Sequence, residues 1–282
     1  MARTRTHQGD DCWSLVDVAA GTVQPIRGEV SQWGPAAAEG CTDFETAGAP
    51  MSLEDVRLLP PITPTSTIVG VGMNYWSHLE KLGVTERPSS TLGFLKPQVA
   101  IIGHNDEIAN PFITDQLDFE VELVVVLAQP IREVSSNLTD YVLGYTVGND
   151  VSARDAAPAP MGGLDLFSVK TLTGTTPVGP WITTKDEFGG SGEVDVTISL
   201  RVNSEERQRD RTGKMIFGIE ECLEYIVARM ALNPGDIVFT GTTDGVGFED
   251  GRYLQAGDVV EAEVEGVGVL RNVVGAKQSP TR

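Results

Sequence analysis

The chain has 282 residues, 40% of them hydrophobic, which is enough to bury one large domain or a main domain with a smaller cap. Forty acidic residues against 21 basic ones give a formal charge of −19, which repels nucleic acid and anionic membranes and excludes both as partners. Three cysteines without a CxxC spacing (Cys12, Cys41, Cys222) point to neither a disulfide framework nor a zinc site, and with no membrane-length apolar run or signal-peptide core a cytoplasmic protein is expected.

In chain order, Trp13 to Val18 and Thr22 to Ile26 predict a hairpin across Ala20-Gly21, while Gly34 to Pro50, rich in Gly, Ala and Pro, predicts a loosely specified piece. Leu58-Leu-Pro-Pro-Ile-Thr-Pro64 cannot be a helix interior or central strand, because proline lacks the donor and clashes in both. It is read as a linker, dividing a small N-terminal domain (1–57) from a main domain (58–282). Gly70-Val-Gly72-Met-Asn-Tyr75 opens like a dinucleotide fingerprint, but Tyr75 stands where close helix packing needs Gly or Ala. Gly213-Lys214 is followed by Met215, so no phosphate-binding loop of the Gly-Lys-Ser/Thr type is present. His7 and His104 lack partners at ligand spacing. Val194, Val196, Ile198, Leu200 and Val202 alternate with polar residues, as do Val260, Ala262 and Val264, and both predict strands with one buried face. Ile219, Cys222, Leu223, Ile226, Val227 and Met230 fall at helical spacing and end at Asn233-Pro234-Gly235. Several strands, few helices and 31 glycines predict a β-rich α+β fold.

Two stretches could carry chemistry. In Asp118-Phe-Glu-Val-Glu-Leu-Val-Val-Val-Leu127 the alternation of a strand puts Asp118, Glu120 and Glu122 on one face. Crowded carboxylates repel unless a hard divalent cation sits between them. On spacing alone a solvated acidic face is the stronger reading, and Glu261, Glu263 and Glu265 share the pattern. Val124 and Val126 continue the acidic face as apolar positions, however, which places Glu122 at the rim of a cleft. The second stretch, Gly144-Tyr-Thr-Val-Gly-Asn-Asp-Val-Ser-Ala-Arg-Asp155, is a strand running into polar residues, where rigid scaffolds mount functional groups. Asp150 is either a third carboxylate for the same ion or part of an Asn149-Asp150 turn or helix cap. From the residues alone the cap is the stronger reading.

These two stretches, with Lys170, Pro177-Val-Gly-Pro-Trp181, Pro234-Gly-Asp-Ile-Val-Phe-Thr-Gly-Thr242, Gly245-Val-Gly247 and Gly70-Val-Gly-Met-Asn-Tyr-Trp-Ser-His78, resemble the fumarylacetoacetate hydrolase family over roughly residues 55 to 275, with the motifs in order. The resemblance implies a mixed β-sandwich roll, a homodimer, and a Mg²⁺, Mn²⁺ or Ca²⁺ ion held by Glu120, Glu122 and Asp150. It also implies that Lys170 lies near the substrate, that Thr242 contacts it from a Gly-Thr turn, and that His78 is a lid base that activates water. Three carboxylates around one divalent ion leave a net charge near −1, which Lys170 can neutralise.

The chain departs from the family pattern in places. The acid that pairs with the lid histidine, commonly three residues on, is replaced by Lys81, leaving Glu80 as the nearest candidate. On a helix, a side chain at i+2 points away from His78. Ala156-Ala157 stands where many relatives carry a substrate-contacting Gln, and Pro158 to Gly163 is small and flexible in composition. The expected function is hydrolysis of a C–C bond in a small acylpyruvate-like 2-oxo or 1,3-dicarbonyl acid. Decarboxylation of an oxaloacetate-type acid or keto–enol isomerisation on the same metal site are the alternatives. A non-catalytic binding protein is the reading from another class.

Overall fold

The computed structural model describes residues 1–157 and 165–280, so the stretch Pro158 to Gly163 lies outside the described residues. The chain opens with β1 (Ala2–Arg5), β2 (Asp11–Asp17), β3 (Thr22–Ile26), α1 (Val30–Ala38), β4 (Met51–Ser52) and β5 (Arg57–Leu59). The strands form one sheet in the order β4-β3-β2-β1-β5. The expected hairpin is present, with Trp13 opposite Ile26 and Asp17 opposite Thr22. The 57/58 boundary falls inside β5, which pairs with β1 from Arg57 to Leu59. The stretch beginning at Gly34 is more ordered than its composition predicts. Although Pro35 offers no N–H to the Ser31 carbonyl, α1 runs through it. Burial of Val30, Trp33 and Ala37 holds the helix, and the Trp33 ring meets Trp13 edge-on at 5.3 Å.

The chain continues through β6 (Ile68–Gly72), α2 (Trp76–Lys81), β7 (Leu92–Lys96), β8 (Ile101–Ile102), β9 (Glu107–Asn110), β10 (Leu117–Asp118) and β11 (Val121–Leu127). Then come β12 (Val142–Asn149), β13 (Ser152–Ala153), α3 (Leu166–Lys170), β14 (Thr176–Thr184), β15 (Thr197–Val202) and β16 (Glu205–Arg211). The last elements are α4 (Ile219–Val227), β17 (Ile237–Phe239), α5 (Gly247–Asp250), β18 (Val259–Val264) and β19 (Gly268–Lys277). A seven-stranded sheet has the order β7-β6-β17-β11-β12-β14-β8, and a five-stranded sheet the order β16-β15-β18-β19-β9. This is the β-rich α+β architecture the sequence predicts, with few and short helices. The amphipathic helix ends at Val227, short of Met230, and the alternating strand begins at Thr197 rather than Val194.

β11 explains how the layers stack. Its Val121, Leu123, Val125 and Leu127 share a core with Ile198, Leu200, Val260 and Ala262 of the five-stranded sheet and with Ile219, Leu223 and Ile226 of α4. Its Val124 and Val126 join a second core with Trp13, Val30 and Trp33 of the N-terminal sheet and helix. A strand buried on both faces reads as a continuous apolar run, as this one does. Each such Val or Leu contributes about 1.5–3 kcal/mol by leaving water.

The same sheet positions the site. β6 and β17 are parallel, and β11 runs antiparallel to both β17 and β12. The C-terminal ends of β6, β17 and β12 therefore meet the N-terminal end of β11 at one edge of the sheet. That edge carries Gly72, Gly241-Thr242, Asp150 and Glu120.

Candidate active site

Glu122 begins β11 opposite Gly148, and Glu120 sits in the break between β10 and β11. The break is stapled by the next strand: Asn149 Oδ1 accepts the Glu120 N–H and the Glu120 carbonyl accepts the Asp150 N–H, both at 2.9 Å. Asn149-Asp150 is thus a cross-strand clamp, and the cap reading gives way. Carboxylate oxygens of Glu120, Glu122 and Asp150 lie within 4.8 Å of one another, all three residues buried. Asp118, which alternation placed with them, turns elsewhere. It accepts the N–H groups of Gly247 and Phe248 at 2.6 and 3.0 Å and the Arg154 guanidinium at 2.8 Å.

Three cations border the triad. Lys170 Nζ bridges Glu120 Oε2 at 2.6 Å and Asp150 Oδ2 at 2.7 Å. Arg154 donates to Glu120 Oε1 at 2.6 Å, and Lys96 Nζ donates to Asp150 and to the Lys170 carbonyl. Burial opposes ionisation of Glu120, yet Lys170 and Arg154 hold it down to about 2. Burial likewise opposes charge on Lys170, and Asp150 with Glu120 overcomes it and raises the ammonium. At Lys96 burial wins over Asp150 and lowers it.

Glu122 is the exception. It accepts the Gly241 N–H at 2.6 Å but has no cation partner among the described residues, and burial, with Asp150 and Glu120 nearby, pushes its carboxyl well above the usual range. A buried carboxylate that lacks a counter-ion beside two others is the donor set of a hard divalent cation, so the triad could hold one. Gly241 makes its contact at φ +94°, and a Cβ there would come within 2.8 Å of Asn74 Cβ. Only glycine allows that amide to reach Glu122.

Six of the seven residues expected beside the ion or substrate line one cavity of about 260 Å³: His78, Glu120, Glu122, Asp150, Lys170 and Thr242. The Thr242 hydroxyl donates to the Val121 carbonyl at 2.8 Å and accepts from Gln208 Nε2 at 2.9 Å, so its hydrogen is committed to the scaffold. The seventh, Glu80, is not brought in. α2 is helical, so Glu80 is exposed in a separate hollow with Trp76, Ser77 and Lys214. The acid beside His78 is Glu249 of α5, with Nδ1 3.3 Å from Oε1, while Glu249 Oε2 accepts the Gly245 N–H at 2.9 Å. A larger hollow of about 710 Å³ lies between the N-terminal sheet and β14, away from these groups.

Sequence reasoning missed Glu249, Lys96 and Gln208 and gave Arg154 no role. Glu249 is 171 residues from His78, and only the fold joins them. Lys96 is hidden by an inverted pattern: in β7 Leu95 is exposed and Lys96 buried, the reverse of what hydropathy predicts. Gln208, which accepts the Val121 N–H at 2.9 Å, lies in β16, where all seven residues are polar and no alternation marks the inward face; its lack of charge there is the only local signal.

The β-rich fold gathers in one cleft a lysine, a carboxylate-supported histidine and three buried carboxylates that could hold a divalent ion. Residues 67–275 match the model of the fumarylacetoacetate (FAA) hydrolase C-terminal domain. The chain belongs to the fumarylacetoacetate hydrolase family, whose members are hydrolases and isomerases. It is 40% identical over 233 residues to an uncharacterised protein of Methanocaldococcus jannaschii, covering 82% of this chain and 92% of that one. Among solved structures it resembles 5-carboxymethyl-2-hydroxymuconate delta-isomerase from Mycobacterium smegmatis, with TM-score 0.79 and 32% identity over 98% of this chain and 99% of the other. Fumarylacetoacetate hydrolase from Exiguobacterium antarcticum gives TM-score 0.79 and 29% identity over 98% and 99%. No helix among the described residues is long and apolar enough to cross a membrane.

Proposed function

We propose that the chain is a divalent-metal-dependent hydrolase that splits a C–C bond in a small acylpyruvate-like acid. The observation that carries this reading is His78 paired with Glu249 in the cavity that also holds the triad, because hydrolysis needs a supported base as well as an acidic ion site. Mg²⁺ is the ion we assign, and Mn²⁺ and Ca²⁺ suit the same all-oxygen donors. When bound, the ion would supply Lewis acidity to the 2-oxo group and stabilise the enolate that leaves.

The protein's own residues supply the rest. Lys170 keeps a positive charge between Glu120 and Asp150, where the carboxylate of a 2-oxo acid would be drawn. With a proton on Nδ1 donating to Glu249, His78 presents unprotonated Nε2 as the base. Nε2 takes a proton from water and hydroxide adds to the distal carbonyl. The bond from that carbonyl to the methylene then breaks, the electron pair staying on the methylene carbon. Protonation there gives pyruvate, and the acyl part leaves as a carboxylic acid.

Keto–enol isomerisation is the second reading, favoured by the likeness to the M. smegmatis isomerase. Purified protein with Mg²⁺ and acetylpyruvate should yield pyruvate and acetate in equal amounts. Loss of enol absorbance with no change in carbon count would instead establish the isomerase. Release of CO₂ from oxaloacetate with acetylpyruvate left intact would establish a decarboxylase, and binding without any turnover a retired scaffold.

A further inference from the structure

The cavity has two chemically distinct ends. Carboxylates and their cations occupy the inner end, while Met73, Leu82, Phe94, Leu166, Val169 and Phe248 form the rest of the wall. Leu82 and Phe248 are both substantially exposed at the mouth, 42% and 51%. We propose that the site selects 2-oxo acids whose far end is an apolar chain or ring and discriminates against those that end in a second carboxylate. This rests on the functional reading above and deepens it.

Charge is the first argument. Arg154 is shared by Asp118 and Glu120, Lys170 by Glu120 and Asp150, and Lys96 is spent on Asp150. Four carboxylates, Glu122 included, face these three cations, so a divalent ion leaves a single positive charge over. One substrate carboxylate cancels it, and a second has nothing to meet.

Position is the second argument. An ionised carboxylate moved from water against an apolar wall loses hydration with no hydrogen bond in return. Lys81, on the turn of α2 after His78, is exposed and is not part of the cavity wall. The apolar end is also built into the sheet. Phe94 lies over Gly70, where a Cβ would fall 2.3 Å from the ring, and its ring centroid is 5.7 Å from Lys170 Nζ. One aromatic ring therefore borders both ends of the cavity.

The test is calorimetric titration of the Mg²⁺-loaded protein with pyruvate, 2-oxooctanoate and 2-oxooctanedioate, which share one head and differ in the tail. 2-Oxooctanoate should bind at least about tenfold more tightly than either of the others. Leu82→Arg, a change at an exposed position, should narrow the gap between the monoacid and the diacid by about tenfold. Diacid affinity equal to or above that of the monoacid overturns the proposal, and its loss in Lys81→Ala would identify Lys81 as the group that had met the second carboxylate. Binding of all three with equal affinity overturns tail selection while leaving the 2-oxo acid reading in place. If none binds, the functional reading falls and this inference with it.

Discussion

The two walls of the cavity are made differently. The acidic wall is carried on the ends of β11 and β12, whose residues are buried along their whole length and tied by paired main-chain bonds. The opposite wall is carried largely by short helices, α2 of six residues, α3 of five and α5 of four, joined by Phe94 of β7, with Leu82 and Phe248 reaching the surface. Short helices owe little to their own hydrogen bonds and depend on what they pack against. The contrast separates tasks: charges that must stay close despite repulsion sit on a rigid sheet, and groups that meet the variable part of a ligand sit on small elements anchored at a few points. Asp118 is one such anchor, accepting two N–H groups at the start of α5 while holding Arg154 on the acidic wall.

Damage to the acidic wall should have the largest effect. Glu122→Gln keeps the shape and the Gly241 contact but removes the one carboxylate of the triad without a cation partner among the described residues, so Mg²⁺ binding and turnover should both fall to background. Calorimetry and a pyruvate assay read this out, and normal turnover in that variant would remove the triad from the mechanism. His78→Ala should lower hydrolysis by about 10²–10⁴-fold while Mg²⁺ affinity stays unchanged. Loss of metal binding in that variant would mean the walls are not independent. Glu249→Gln should lower kcat by about 10²-fold or more, because an amide supports the protonated ring less and can turn its NH2 to Nδ1, holding the tautomer whose proton sits on Nε2. Glu80→Gln should change nothing, and a reversal of these last two outcomes would return the role to Glu80.

The smallest effect expected is on stability. Since the Glu122 carboxyl is raised, the ion-free fold holds a proton that the unfolded chain gives up. That contribution is present in full below the ordinary carboxylate range and is lost as pH rises toward the folded pKa. An ion takes the place of the proton, so the Tm increase on adding Mg²⁺ should grow with pH over this window. A constant or shrinking increase would show that Glu122 does not change partner.

Much of the acidic wall is legible in the sequence, because alternation and the apolar continuation at Val124 and Val126 are local signals. Asp150 is legible only through the family resemblance, since its local context alone favours a turn or cap. Asp118 misleads, because the break at Phe119-Glu120 ends the alternation that would have aligned it with the others. The second wall is nearly illegible. Glu249 meets His78 through tertiary packing alone. On the acidic wall Lys96 also escapes the sequence, because it occupies an inward strand position that hydropathy assigns to Leu95. In the N-terminal region the composition around Pro35 conceals a helix that exists because Trp33 has a core to enter.

The double-sided burial of β11 has a consequence for anyone shortening the protein. Val124 and Val126 belong to the strand that presents Glu122, and their covering includes Trp13, Val30 and Trp33, all outside the family-matched segment. A truncated version starting after β5 would keep every proposed ligand yet leave a greasy stripe uncovered behind them, inviting self-association in solution. The amino-terminal sheet is thus a lid on the back of the catalytic layer, and trimming it should harm solubility before it harms chemistry.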